Sequence, residues 1–432
     1  METIQAVINA FKLPDLRRKI LFTLGILVVY RLAAHIPVPG ADVAAVRELL
    51  RGTPFLGLLN MLSGGGISNF SVMLMGVYPY ITASIILQVL TPLVPRLQEL
   101  AKEGEAGRNR INQYTYLLTV PLAFLQGWGQ ISALISFSNV PLLTHWGFGG
   151  EALLPTIATL FTVTAGTMFA LWLAERITEQ GIGNGTSIII FGGIVADIPF
   201  NLQSYVVAQN WPGLLAFVAI VAATVVGIVL IYEGQRRVPV QYGKRVRGMK
   251  VYGGQSTHIP LRVNSAGMIP LIFAQSLLLL PSFVAQYFMG LGNPFIAGVA
   301  QAMFDMVNGQ GLGYWLIYFL MVVGFTYFYT DVVFQQQNIP ETLQRQGGFI
   351  PGIRPGPRTQ EYLTRVLHRI TLVGALFLGT VALLPFFTQA FTQQQALLIA
   401  PTGLLIVVGV VLDTMKQLEA QLLMRHYEGF LK

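Results

Sequence analysis

The side chains able to do covalent or metal chemistry in this chain are few and scattered. Its 432 residues include no cysteine, which removes disulfides, thiolate catalysis and cysteine-bound metals. The five histidines, His35, His145, His258, His368 and His426, fall near the ends of apolar stretches or in loops. They read as interfacial or loop residues, and no HExxH motif accompanies them. The only Gly-Lys pair, Gly243–Lys244, lacks the upstream glycine of a phosphate-cradling loop, so no nucleotide is expected on this chain. Gly181, Gly183 and Gly185 alternate in TEQGIGNGTS, which is turn spacing rather than a dinucleotide fingerprint. Asp331 and Asp413 lie near the ends of two apolar stretches. Two facing carboxylates would suit an intramembrane hydrolase, but neither lies deep in its stretch and no GxGD motif is present. The expectation is therefore no catalytic residue, no cofactor and no metal: not an enzyme.

The elements that carry these residues are almost all apolar. Hydrophobic residues make up 53% and charged residues 11%, with mean hydropathy +0.61. A soluble domain carries about 25% charged residues. A membrane-spanning helix needs about 20 apolar residues. Ten stretches qualify as candidates: 20–34, 72–93, 114–137, 153–173, 186–198, 212–232, 266–288, 313–334, 370–391 and 397–412. If the N-terminus is cytoplasmic, 24 of the 27 lysines and arginines fall on the cytoplasmic side, leaving Arg31, Arg47 and Arg51 opposite. That asymmetry is the positive-inside pattern, and it places both termini in the cytoplasm with an even number of crossings. No cleavable leader is expected, because Arg31 and His35 stand where small residues would be required.

Five crossings per half is an odd number, so two similar halves would be inverted relative to each other, with a functional path near their interface. The expected fold class is an all-α polytopic membrane protein of ten helices in two inverted pseudo-symmetric halves around a central pore. The central thirds of the ten stretches carry no charge. A charge at a helix centre costs about 2.5–3.5 kcal/mol on insertion scales and marks ion or proton coupling. Its absence weighs against the alternative function, an ion-coupled secondary transporter of a small solute. An apolar constriction that closes to ions by dewetting needs no such group.

One stretch, SGGGISNFSVMLMGVYPYITASIILQVLTPLVP (63–95), opens with three glycines and then mixes Tyr78, Tyr80, Thr82, Ser84 and Gln88 into an apolar run. Polar groups at membrane depth face other helices or a wet cavity. The apolar piece just before it, from Phe55 to Leu62, is too short to span. It reads as a surface, interfacial or re-entrant piece.

The basic residues cluster in two loops. In QRRVPVQYGKRVRGMKVYGGQSTHIPLRVN, Val238, Val240 and Tyr242 alternate, as do Ile259, Leu261 and Val263, which predicts two short strands in a cytoplasmic protrusion. Its charges, Arg236, Arg237, Lys244, Arg245, Arg247 and Lys250 among them, would suit an acidic protein surface or an RNA backbone. In GGFIPGIRPGPRTQEY, prolines and glycines alternate around Arg354, with Arg358 close behind. A stiff loop of that kind can hold a guanidinium at a fixed place.

Taken together, LLNMLSGGGIS, VYPYITASIILQVLTPLVP, KEGEAGRNRINQYT, TAGTMFALWLAERITEQGIGNGTSIIIFGGIVA, YEGQRRVPVQYGKR, QSTHIPLRVNSAGMIPLIFAQS, GGFIPGIRPG and LTRVLHRITLVGAL resemble the SecY family, channel subunits of the bacterial Sec protein translocase. The pieces run in order along nearly the whole chain. The resemblance implies a protein-conducting channel that passes unfolded secretory polypeptides and releases membrane segments sideways into lipid of the bacterial cytoplasmic membrane. Residues 1–200 would form one half with helices one to five, and 201–432 the other, with basic loops at about 233–265 and 335–368. Ile81, Ile85, Ile194, Leu277 and Ile406 would ring the pore. A plug at about 56–70 would include Leu58, Leu59, Met61, Leu62, Ser63, Gly64, Gly65, Gly66 and Ile67. Helices two and three against seven and eight would form a lateral gate, with Ser84, Gln88, Gln126 and Gln275 as contacts. Arg236, Arg237, Lys244, Arg245, Arg247, Lys250, Arg354 and Arg358 would dock the SecA motor ATPase or the ribosome. SecE and SecG would be the membrane partners.

Overall fold

A computed structural model describes residues 13–52, 60, 63–137, 142–143, 145–147, 149–207, 211–242, 245–247, 250–252, 256–289, 294–307, 312–337, 339–392 and 401–428. Its first part holds helices α1 (Pro14–Ala33), α2 (Val43–Gly52), α3 (Tyr78–Leu90), α4 (Pro95–Lys102), α5 (Glu105–Phe137), α6 (Leu153–Gln180), α7 (Gly185–Val207) and α8 (Trp211–Glu233). Strands β1 (Gln235–Tyr242), β2 (Arg245–Arg247), β3 (Lys250–Tyr252) and β4 (Ser256–Arg262) follow. Then come α9 (Ile269–Met289), α10 (Pro294–Val307), α11 (Leu312–Gln337), α12 (Ile339–Arg345), β5 (Gly348–Phe349), α13 (Pro357–Thr392) and α14 (Pro401–Glu428).

A helix occupies most of each apolar stretch expected to span. Among the described residues, four helical segments are long and apolar enough to cross a membrane: Glu105–Ile135, Gly150–Gln180, Leu312–Arg345 and Pro357–Phe386. The pair α3 and α4, bent by 99° at the Thr91–Val94 break, makes a fifth if counted as one span. Helix α5 has 33 residues and α13 has 36. At 1.5 Å per residue these are roughly 50 Å long, well beyond a hydrocarbon core of about 30 Å. Both are therefore longer than the hydrocarbon core, and their N-terminal portions carry the charges: Glu105, Arg108 and Arg110 in α5, Arg358, Arg365 and Arg369 in α13.

Two helices depart from the sequence expectation. Residues 72–77, read as the start of the second span, are turns, and the helix begins only at Tyr78. Gly76 at φ 50 breaks the backbone, and Pro79 favours a helix start because its missing N–H would be unpaired there in any case. Helix α7 runs past its expected end at Ile198 to Val207. The division between halves at residue 200 thus falls inside a helix. Asp197 also moves from the edge of the expected span to the thirteenth of 23 helical residues. The absence of charge from span centres is accordingly no argument for α7.

One hydrophobic core joins the helices. Ile26 of α1, Ile131 of α5, Leu171 of α6, Ile190 of α7, Ile228 of α8, Leu271 of α9, Tyr318 of α11, Leu378 of α13 and Leu405 of α14 belong to it. Residues on outer faces, such as Leu24, Val28 and Leu32 of α1, are large, apolar and exposed. In a bilayer such faces are solvated by acyl chains rather than buried in protein.

A second core lies among the basic loops. Strand β1 pairs with β4 in antiparallel register, Val238 opposite Ile259, as the alternation predicts. Strand β5 adds to the free edge of β1, giving the order β4-β1-β5, which the sequence did not announce. Val238 and Val240 point inward and pack with Leu261, Phe334, Leu343, Ile350, Leu363 and Leu367. The two basic loops are therefore one body, built on the end of α11 and the start of α13. Leu363, fully buried in it, is expected to lose about 2–5 kcal/mol of local stability on replacement by Ala. Faster tryptic cleavage at Arg236 and Arg237 in membranes carrying that variant would register the loss, whereas an unchanged cleavage rate would refute the shared core.

Candidate functional site

Residues 63–77 form a succession of turns enclosed by the helices. Ser63, Gly64, Gly65, Gly66, Ile67, Phe70, Met73, Leu74 and Met75 are all buried. Leu58, Leu59, Met61 and Leu62 of the expected plug lie outside the described residues. Non-helical backbone is tolerated at membrane depth only where protein or water covers it and its polar groups are paired. Many are paired locally: Gly65 N donates to Asn60 O at 2.8 Å, Ser71 N to Gly66 O at 2.9 Å and Gly76 N to Met73 O at 2.9 Å, while Val72 N donates to Ile36 O at 3.0 Å and Phe70 O accepts from Val38 N at 2.9 Å. Side chains close further turns. Ser68 N donates to Asn60 Oδ1 at 2.8 Å and the Ser71 hydroxyl to Gly66 O at 3.0 Å. Gly64 and Gly65 adopt positive φ, and so does Phe70 at φ 41, a conformation that costs a bulky residue strain.

The surrounding helices touch this segment closely. The Tyr30 hydroxyl on α1 donates to Ser63 O at 2.8 Å, and Arg31 Nη1 donates to Gly64 O at 3.1 Å. Arg47 of α2 donates to Asn69 Oδ1 at 2.7 Å, and Asn69 Nδ2 donates to Ala34 O at 3.2 Å. On α7, a Cβ added to Gly193 would stand 2.2 Å from Gly64 Cα. On α6, a Cβ at Gly166 would stand 1.9 Å from Val72 O. Sequence reasoning missed Tyr30, Asn69 and Gly193. The one signal available was that Arg31 and Arg47 break the charge asymmetry.

The expected ring residues divide by surroundings. Ile194 on α7 and Ile406 on α14 are 1% and 4% exposed and share the main core, which Ile81 of α3 also touches. Ile85, one turn further along α3, packs with Ile272 and Phe273 of α9 and with Phe325 and Tyr329 of α11. Leu277 of α9 stands apart at 46% exposure, while Ala274 and Leu278 of the same helix join the main core. Helices α3 and α5 meet α9 directly. Of the polar residues expected there, Gln88 Nε2 donates to Ser84 Oγ at 3.1 Å within α3. Gln126 Oε1 is buried without a hydrogen-bond partner. The Tyr318 hydroxyl has the Gln275 side chain beside it, yet no partner at hydrogen-bonding geometry.

Among the basic residues, Arg236, Arg237, Arg354 and Arg358 are exposed on the body that holds the second core. Arg354 sits in a loop shaped by Gly352 at φ 80 and Gly356 at φ 111, and its carbonyl accepts from the Thr359 hydroxyl at 3.1 Å. Arg245, Arg247 and Lys250 belong to the β2–β3 hairpin, Arg247 opposite Lys250, and Lys244 lies outside the described residues. The two aspartates serve different places. Asp331 Oδ1 pairs with His368 Nε2 at 2.9 Å, tying α11 to α13. Asp413 lines a cavity of about 310 Å³ with Asn184, Tyr232, Arg262 and Lys416. No group of metal-binding side chains occurs among the described residues.

A family model described as SecY matches residues 71–415. A protein translocase subunit SecY from Halalkalibacterium halodurans is 44% identical over 99% of this chain and 100% of its own length. Its counterpart from Thermus thermophilus is 43% identical over 99% and 98%. Among solved structures, one of a protein conducting channel superposes with TM-score 0.63 at 17% identity, covering 94% of this chain and 92% of that one. A structure concerned with the plug domain of the SecY protein, described there as stabilising the closed state and maintaining a membrane seal, gives 0.61 at 16% with the same coverage. Sec61 in a canine ribosome-channel complex gives 0.60 at 17%, again with the same coverage. Nothing among these relatives favours a solute transporter. Matched along almost its whole length by translocase subunits and by the channel fold, the chain belongs to the SecY family.

Proposed function

We propose that this chain forms the protein-conducting channel of a Sec translocase in the bacterial cytoplasmic membrane, passing unfolded secretory chains and releasing apolar segments sideways. Full-length kinship with translocase subunits carries this reading. The chain crosses the membrane ten times, both termini cytoplasmic, as two inverted halves that meet near residues 200–210. The positive-inside asymmetry supports that topology.

Segment 63–70, the continuous described part of the plug expected at about 56–70, acts as the plug. Its burial supports that role, and most of its turns are closed locally, while Phe70 O accepts from Val38 N and ties it to the chain after α1. The aliphatic residues Ile81, Ile85, Ile194, Leu277 and Ile406 surround the path. Branched aliphatic side chains close to ions by excluding water, and bind no one passing sequence strongly. The contact of α3 with α9 and α11 through Ile85, Ile272 and Phe273 is the lateral gate in its closed arrangement. Ser84 and Gln88 lie on α3, Gln126 on α5 and Gln275 on α9. Opening to lipid separates α3 and α5 from α9 and α11. The chain has no nucleotide site of its own in its sequence, so energy comes from outside. The exposed arginines of the cytoplasmic body receive SecA or a ribosome, and SecE and SecG cover the outer apolar faces.

Two measurements test this. Replacing Ile81, Ile85 and Ile406 together by Ser is expected to let the resting channel leak ions in planar bilayers; a wild-type baseline would count against the ring. Arg354→Glu is expected to slow cytosolic-partner association roughly tenfold at low salt and less at high salt. Partner binding of unaltered affinity and salt dependence would remove Arg354 from the docking surface.

A further inference from the structure

We propose that Tyr30, Arg31 and Gly193 form a latch holding residues 63–69 in their seat, and so set how readily the channel opens at rest. The inference rests on the reading of this segment as the plug.

The observation behind it is a misfit in the charge pattern. Arginine on the translocated side works against the topological preference, and three arginines lie there: Arg31, Arg47 and Arg51. Two of them donate to the same short segment, Arg31 to Gly64 O and Arg47 to Asn69 Oδ1. Arg31 is half-buried and donates to a backbone carbonyl inside the protein, whereas Arg47 is exposed and its bond is screened by solvent. Tyr30, next along α1, is 2% exposed and bonds the carbonyl of Ser63. Successive residues of one helix thus hold successive carbonyls of the segment.

The opposite wall is backbone alone. Gly64 is clamped between Tyr30 and Gly193: a Cβ on Gly64 would meet the Tyr30 hydroxyl at 2.8 Å, and a Cβ on Gly193 would meet Gly64 Cα at 2.2 Å. Any side chain at 193 must push the segment off α7 or move α7 from α1. Gly193 also directly precedes Ile194, an expected ring residue. Displacement of the segment and loosening of the ring are therefore coupled through one turn of α7. A relative shift of α1 and α7 opens this clamp without unfolding either helix.

The test uses the complete translocase complex in planar bilayers and in inverted vesicles. Resting conductance is read first, then export of a precursor with a defective signal sequence. Tyr30→Phe removes one bond to a buried carbonyl, which multiplies the resting open population by about two- to tenfold. Arg31→Gln is expected to act in the same direction, and Gly193→Ala more strongly, with the defective precursor now exported. Deletion of residues 60–70 is measured in parallel. If the deletion raises resting conductance while Tyr30→Phe, Arg31→Gln and Gly193→Ala do not, the latch is overturned and the plug reading stands. If the deletion leaves conductance at its wild-type value, the plug reading falls and takes the latch with it. A variant that loses ordinary export without gaining conductance shows a merely structural role, and that outcome also overturns the latch.

Discussion

Hydrocarbon offers no partner to a peptide N–H or C=O, and the structure is arranged around that requirement. Most of the chain meets it as helix. Residues 63–77 do not, and they persist inside the helices because most of their turns are closed by a neighbour: Ser63, Asn60 and Ser71 supply side-chain partners alongside the backbone bonds. The same segment is lined outward by apolar residues that fill the main core, Ile67, Phe70, Met73 and Leu74 among them. A piece of chain so built is largely self-paired and externally greasy. It can sit among helices without being one, tied to them by Tyr30, Arg31 and Arg47 and to the chain after α1 at Ile36 and Val38.

The basic body answers a different problem. Eight or so arginines and lysines repel one another and favour an extended, solvated loop. A compact patch requires apolar residues to hold it together from beneath. Val238 and Val240 on one face of β1, with Leu261, Leu343, Ile350 and Leu363 from three separate pieces of chain, provide that floor. The guanidinium groups of Arg236, Arg237, Arg354 and Arg358 are consequently presented together on one body, though over a hundred residues separate the first from the last. The body is anchored to α11 and α13, two helices packed tightly together and tied by Asp331 and His368. Helix α11 in turn stacks Phe325 on Phe273 of α9, in the same apolar cluster as Ile85 of α3.

Much of this was legible without coordinates. Composition and run length declared a membrane protein, since apolar stretches of that length have no other common use. The charge asymmetry gave an expectation of its orientation. Period-two alternation at Val238 and Val240 found β1, and at Ile259 and Leu261 found β4, because one face of a strand must be buried for the pattern to exist. The motif set identified the family, which full-length identity then established. Less was legible where the signal was mixed. Residues 72–77 are apolar enough to read as helix; Gly76 and Pro79 carry the contrary signal, and apolar content outweighed it. The fifth stretch was expected to end at Ile198, yet α7 continues through Pro199 to Val207.

The sequence by itself determined which residues are apolar, which loops carry the charge and most of the local segments that are helix or strand, since these follow from short-range sterics and from transfer free energies that each residue brings with it. Tertiary structure alone decided which carbonyls Arg31 and Tyr30 reach, why Gly193 admits no side chain, and that two distant basic loops share a floor. Those are properties of pairs of residues far apart in the chain, such as Gly64 and Gly193. Their distance is set by how whole helices pack, and no local pattern encodes it.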